Sequence, residues 1–453
     1  MEIIIVGCGK VGTTLAERLS AEGHNLVMID LLSQKLNNIQ NSLDVMGIEG
    51  NGASYNILIE AGVETADLLI AVTGADELNL LCCLIAKKAG HCQTIARVRN
   101  PLYNQEVNFI KESLGLTMII NPELAAASEI ARLLRFPSAI KIDTFAKGRV
   151  ELLKFKICPE FHLDGMKVLE ISSKLKCDIL ICAVERGEDV FIPNGAFELK
   201  DNDLVSIIGS PQNSANFFRK IGIVIHPVKN TMIIGGGTIA HYLAKRLLDT
   251  GIRVRIIENN KERCKYLSDQ LPEASIIYGD GTNQSLLLEE GLSQTESFVA
   301  LTNLDEENIL LALFAKKHSP AKTIAKVNRL AFTDIIDSLD IGSVIYPKYI
   351  TADYILQYVR AAQNSIGSNV ETLYKILDDR AEALEFSVHE ESPVTGIPLA
   401  QLDLRDNLLV CCINRNGSIR IPRGQDTIQV GDTVIVVTSV TGLGDIRDIL
   451  KGK

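Results

Sequence analysis

The chain has 453 residues and a formal net charge of -10, with 46% hydrophobic and 23% charged residues. At about 100–200 residues per domain, that length holds about three globular domains with ample cores. The acidic balance argues against a nucleic-acid binder, which needs a basic face, and no apolar run approaches the ~18 residues of a membrane span. Ten cysteines without a Cys-x-x-Cys, and seven histidines without ligand spacing, read as reduced, mostly buried thiols and not as a metal site. The start, Met1-Glu2-Ile3, lacks the basic region of a signal peptide, so the expected location is cytoplasmic.

The first element is a β-branched strand, Ile3–Val6, running into Gly7-Cys8-Gly9-Lys10-Val11-Gly12 and then a helical stretch. A strand, a Gly-x-Gly-x-x-Gly turn and a helix in that order form a dinucleotide-binding turn. Gly7 allows the tight turn, Gly9 lets backbone approach a pyrophosphate, and Gly12 lets the helix pack on the strand. The backbone amides of Gly7 to Gly12 are the expected phosphate donors. A second strand, Leu26–Asp30, ends in an acid 18 residues after Gly12. Asp30 there accepts from ribose hydroxyls and repels a 2′-phosphate, which disfavours NADP.

A helix over 33–41 and a strand over 44–48 follow, closed by the turn Gly50-Asn51-Gly52. The apolar strand Leu68–Val72 ends in Thr73-x-x-Asp76-Glu77-x-Asn79, then come a helix over 79–89 and the strand Thr94–Val98, with a further helix end and strand up to Ile120. Continuous apolar strands alternating with helices mean a parallel sheet covered on both faces. Thr73 sits where it either reaches a ligand or caps the next turn, and Asp76, Glu77 and Asn79 read as a helix N-terminus. Asn121-Pro122-Glu123 opens a long helix ending before Pro137, with Leu124, Ala127, Ile130, Ala131 and Leu134 as its apolar stripe. From Ala139 the period falls to two, which predicts a small strand-rich module. Arg186-Gly187-Glu188 is its hairpin turn, and the polar stretch Ser210–Ser214 closes it.

The whole pattern then repeats. Gly235-Gly236-Gly237-Thr238-Ile239-Ala240 is a second glycine turn. Gly7 to Gly235 and Asp30 to Glu258 are both 228 positions; Thr73 to Thr302, Asp76 to Asp305 and Asn79 to Asn308 are 229. Ala96-Arg97-Val98 returns as Ala325-Lys326-Val327, Asp203 as Asp432, and Gly279-Asp280 stands where the first copy has Gly50-Asn51. The chain is a tandem duplication of a two-part α/β unit.

These motifs, over essentially the whole chain, resemble the TrkA family, which is built of two RCK units (regulators of K⁺ conductance, also called KTN). The resemblance implies a doubly wound Rossmann-type lobe followed by a small α+β lobe, twice, at residues 1–122, 123–212, 228–346 and 347–453. It implies a cytosolic regulatory subunit and not an enzyme, with no transmembrane segment of its own. Such a subunit forms a homotetrameric ring at the inner face of the membrane, beneath a K⁺-translocating partner of the TrkH/KtrB type. Binding of NAD(H), or of ATP/ADP, would change the ring's shape and the transport rate. Within that frame Arg97 resembles the family's basic group near the phosphates, an ion pair with Asp76 or Glu77 being its alternative. Asn51 departs from the usual acid kept at Asp280. The second set is Gly235, Gly237, Thr238, Ile239, Glu258, Asp280, Thr302 and Lys326. The alternative class is an NAD-dependent oxidoreductase, which needs a positioned acid or base in a substrate domain. The short modules show no convergent His/Lys/Asp set for that role.

Overall fold

The computed structural model describes residues 1–451 apart from 136–138, 146–148, 188, 223–227, 329–335, 337–338, 340, 365–369, 377–379 and 441. Pro137 and Glu188, singled out above, lie outside the described residues.

The first lobe runs β1 (Glu2–Val6), α1 (Lys10–Ala21), β2 (Asn25–Asp30), α2 (Ser33–Gln40), β3 (Met46–Glu49), α3 (Tyr55–Glu60), β4 (Leu68–Ala71), α4 (Asp76–Gly90), β5 (Gln93–Arg97), α5 (Pro101–Gln105), α6 (Val107–Leu114) and β6 (Met118–Ile120). Its six parallel strands are ordered β3-β2-β1-β4-β5-β6, and the order reverses between β1 and β4. Open α/β sheets hold ligands at that switch point, beyond the strands' carboxyl ends. Ile3, Ile5, Leu68 and Ile70 face one core while Ile4, Val6, Leu69 and Ala71 face another, so apolar runs without alternation were the right sign of a two-sided sheet. The helix expected over 79–89 begins at Asp76, and the strand expected at 44–48 spans Met46–Glu49.

The first unit continues through α7 (Pro122–Arg135), β7 (Lys141–Phe145), β8 (Val150–Lys156), α8 (Val168–Leu175), β9 (Leu180–Arg186), β10 (Asp189–Phe191), β11 (Leu204–Gly209) and α9 (Pro211–Lys220). The five strands form an antiparallel sheet, β10-β9-β11-β8-β7. Two helices join the strands of this module, as the expected α+β lobe requires, though neither is read from the sequence pattern. The polar Ser210–Ser214 is a helix start: Ser210 Oγ accepts from the Asn213 amide, Pro211 occupies the first turn, and Phe217 and Phe218 then enter the core. Their rings pack on Phe155 of β8, so the lobe extends past residue 212 to Lys220.

The second unit repeats this as β12 (Asn230–Ile234), α10 (Thr238–Asp249), β13 (Arg253–Glu258), α11 (Lys261–Gln270), β14 (Ser275–Tyr278), α12 (Gln284–Glu289), β15 (Ser297–Ala300), α13 (Asp305–His318), β16 (Lys322–Lys326) and β17 (Ser343–Ile345). After these come α14 (Pro347–Asn364), β18 (Val370–Ile376), β19 (Ala381–Ser387), β20 (Leu408–Arg415), β21 (Ser418–Arg420) and β22 (Thr433–Thr438). Sheet orders β14-β13-β12-β15-β16-β17 and β18-β19-β22-β20-β21 mirror the first unit. The repeated acids of the small lobes do the same work in each: Asp203 holds Arg186 through both carboxylate oxygens, and Asp432 holds Arg415 likewise.

The two units exchange their long helices. Ala352, Ile355, Leu356 and Val359 of α14 share a core with Leu15 and Leu19 of α1, in the opposite unit. Ala127 and Ile130 of α7 share a core with Leu243 and Leu247 of α10. Burial on α7 is wider than the single expected stripe, because Ala126 and Leu133 are also buried between partners. The small lobes meet through Cys182, Ala183, Cys411, Cys412 and Val437. Polar contacts pin the exchange: the Tyr242 hydroxyl of α10 accepts from the Asn121 side chain at 2.9 Å and donates to the Arg99 carbonyl at 3.2 Å. Tyr242→Phe strands both partners at a half-dry interface, with an expected loss of about 1–2 kcal/mol in urea unfolding.

Candidate functional site

At the first switch point Gly7 has φ +107° and packs against the Thr73 backbone, a conformation that favours glycine. A Cβ on Gly12 would lie 1.9 Å from the Gly7 carbonyl oxygen, so that glycine is required by packing. A Cβ on Gly9 would meet nothing within 4 Å, so its surroundings are open. Gly9 is the N-cap of α1 and has no side chain to cap it; the first intrahelical bond is Thr13 N–H to Gly9 C=O. The amides of Lys10, Val11 and Gly12 therefore point, with the positive end of the helix dipole, at open space. The second lobe repeats the arrangement: Gly235 has φ +93°, Gly237 caps α10 and is equally open, and Thr238 and Ile239 lead the helix. Ala240, fully buried, stands for Gly12.

Asp30 clasps this turn. Its carboxylate accepts from the Cys8 amide at 2.7 Å and the Leu32 amide at 3.0 Å, with Lys35 at 3.8 Å. Glu258 does the same through the Gly236 and Asn260 amides at 2.6 and 2.7 Å. The acid thus links the strand end to the glycine turn and lies at its mouth. Cys8 lends its amide and not its sulfur, since burial, reinforced by Asp30, pushes the thiol up to about 12.

Thr73 and Thr302 close turns. Thr73 Oγ1 bonds Ala75 and the Asn79 side chain, so the capping alternative describes its hydroxyl here. Asn79, fully buried, accepts from the Thr73 amide and donates to the Thr73 and Arg97 carbonyls, tying β4 to β5. Asn308 ties Thr302 to the Lys326 carbonyl in the same way. Asp76 accepts from the Arg99 and Asn100 amides and Glu77 from the Tyr103 hydroxyl, which makes these acids structural. Asn51 and Asp280 each fold the turn after the third strand, accepting from the amides of Ala53 and Thr282. Asn at 51 therefore preserves the loop and gives up the charge.

The basic pair is differently placed. Arg97 forms no ion pair with Asp76 or Glu77; Arg99 takes the nearby acid, Glu123, at 2.6 Å. The Arg97 Nε is buried with no hydrogen-bond partner, and burial, then the neighbouring Arg99, pull its guanidinium below the ordinary value. Lys326, 7% exposed, is also lowered, chiefly by burial; Asp305 and Glu123 oppose this and Lys10 of the other lobe adds to it. Two under-compensated cations thus stand at strand ends where the lobes face each other.

Two features carried no sequence signal. Arg263 of α11 donates to the Gly236 carbonyl at 2.6 Å and lies over Tyr266, covering part of the second turn; its counterpart Lys35 does not reach the first. Leu31 and Leu32, which follow Asp30, are 61% and 54% exposed, where the second lobe has Asn259 and Asn260. The clasp and the buried asparagine can be tested separately. Asn79→Ala removes the partner of three part-buried backbone groups, the Thr73 amide and the Thr73 and Arg97 carbonyls, and is expected to cost about 3 kcal/mol in denaturant unfolding.

The TrkA-N domain model matches residues 3–122 and 231–347, and the TrkA-C domain model residues 154–222 and 383–451. The chain is 33% identical to Trk system potassium uptake protein TrkA homolog 1 of Methanosarcina mazei and 32% to the TrkA homolog of Archaeoglobus fulgidus, covering all of each. It is 30% identical to Trk system potassium uptake protein TrkA of Haemophilus influenzae, over 97% of this chain and 96% of that one. Among solved structures the GsuK channel bound to NAD superposes with TM-score 0.64 at 17% identity, over 96% of this chain and 76% of that chain. The GsuK RCK domain superposes with TM-score 0.63, over 96% and 92%.

Proposed function

Because the chain belongs to the TrkA family of Trk system potassium uptake proteins, we propose that it is a nucleotide-sensing regulatory subunit whose ligand occupancy gates a membrane K⁺-translocating partner. The family consists of potassium uptake proteins and not enzymes, so the oxidoreductase alternative is set aside. No helix among the described residues is long and apolar enough to cross a membrane, so translocation falls to a partner of the TrkH/KtrB type.

The observation that carries this reading is the position of α1 and α10. The helices whose N-termini would receive phosphate are the same two that pack against the exchanged α14 and α7. A ligand at either turn therefore acts on the interface between units. It can shift their arrangement by as much as its affinity differs between the two arrangements. A ring of such chains, a homotetramer, would pass that shift to the membrane partner. A relative in fold, GsuK, has been solved bound to NAD and bound to ADP, and NAD(H) or ATP/ADP are the ligands proposed here.

The first lobe is the better site. Asp30 takes the ribose hydroxyls, the amides of Gly9 to Gly12 take the phosphates, and exposed Leu31 and Leu32 offer an apolar surface to a base. In the second lobe Arg263 lies over the turn and two asparagines replace the leucines. Arg97 and Lys326 are proposed as phosphate-facing cations.

Calorimetric titration with NAD⁺, NADH, ATP and ADP tests the site. Asp30→Ala removes a charged acceptor and should weaken binding roughly ten- to a hundredfold. Gly9→Ala, at φ -80° with open space around it, should fold with unchanged stability yet lose binding, because its methyl fills the phosphate's place. Unchanged affinity in both variants would refute the site. K⁺ flux through a TrkH/KtrB-type partner that ignores nucleotide, with binding intact, would refute the gating role.

A further inference from the structure

A cavity of about 620 Å³ lies away from both glycine turns, where α1, α7, β7, β17 and α14 meet. That is the size of a small-molecule site. Its lining mixes apolar residues, Ile142, Leu152, Val344 and Ile350 among them, with charged ones. The charges are unevenly matched. Lys141 pairs with Asp143 at 3.2 Å, Arg18 with Asp353, Arg360 with Glu22, and Lys154 with Glu185 at 2.7 Å. Arg132 is held by the Thr144 hydroxyl and the Ser128 carbonyl. Among the described residues Glu129 of α7 has no hydrogen-bond or ion-pair partner. It is half-buried and lines the cavity. Asp143 and Asp353 stand near it as like charges, against Lys141 and Arg132.

We propose that this cavity binds an alkyl-chain organic cation, a diamine or polyamine, whose ammonium pairs with Glu129 while its methylenes lie along the apolar side chains. Each base lining the cavity already has an ion-pair or hydrogen-bond partner, whereas Glu129 has none among the described residues. A bare metal ion is a poorer occupant: among the described residues no three Asp, Glu, His or Cys side chains are arranged to hold one. The exposed rim residues Glu17, Lys141 and Tyr354 leave a route from solvent. Such a ligand touches α1 and α7 of the first unit and α14 of the second, so it would tie the exchanged helices together independently of nucleotide.

Burial, with Asp143 adding to it, raises the Glu129 carboxyl from 4.5 to about 7. The folded protein therefore holds a proton there that the unfolded chain has lost between those values, and the apo protein loses stability as pH rises from about 4.5 to 7. An ammonium ligand stays charged throughout this range and needs the carboxylate. Binding should strengthen from pH 6 to pH 8.

Calorimetry and thermal unfolding of the full chain with spermidine, against KCl at matched ionic strength, give the test. Expected are binding at pH 8, at least fivefold weaker binding at pH 6, and at least a tenfold loss in Glu129→Gln, with thermal stability of that variant at pH 8 equal to or above wild type. The proposal is overturned by a spermidine response no larger than that of KCl, by equal affinity in Glu129→Gln, or by stronger binding at pH 6. Stabilisation by inorganic phosphate and not by spermidine also overturns it. The wild-type pH comparison stands alone should the variant fail to fold.

Discussion

The architecture depends on one exchange: each unit's first helix is buried by the other unit's long helix. A helix as apolar as α1, with Leu15, Ala16 and Leu19 fully buried, needs cover on the side away from its own sheet. Ile355, Leu356 and Val359 of α14 supply it. Fully burying a side chain of that kind contributes about 1.5–3 kcal/mol, so the exchanged surfaces are a large part of what holds two units as one body. Ion pairs across this seam, Arg18 with Asp353 and Arg360 with Glu22, fix its register more than its strength.

That seam is also why binding at one turn matters elsewhere. Phosphate binding acts on the N-terminus of α1, and the same helix carries Arg18 and Glu22, two turns and three turns on, into the contact with α14. The path from ligand to interface is therefore a single rigid element. The clasp by Asp30 keeps the turn preformed, since both carboxylate oxygens already hold backbone amides before ligand arrives. A preformed turn spends little ordering entropy on binding.

The duplication has let the lobes diverge where no neighbour constrains them. Buried positions do the same work in both copies, as with Asn79 and Asn308, or Asp203 and Asp432. Exposed ones differ: Leu31 against Asn259, Asn51 against Asp280. A buried amide that satisfies several backbone groups tolerates no replacement, whereas a surface loop keeps its shape with either Asn or Asp at its head.

Sequence alone was enough for the two Rossmann lobes, the glycine turns, the acids at Asp30 and Glu258 and the tandem repeat. Each of these is a short-range pattern, a strand run, a turn or a fixed offset, in which the deciding residues are close in the chain. It missed α8 and the helix hidden behind Ser210–Ser214, because a capped start is polar and the apolar Phe217 and Phe218 come only later. Tertiary structure alone decided that, among the described residues, Arg97 is unpaired, that Arg263 covers the second turn, and that Glu129 lines a cavity between units without an ion-pair partner. Those facts depend on which residues hundreds of positions apart become neighbours. Charge pairing and burial are properties of that neighbourhood and leave no local periodicity to read.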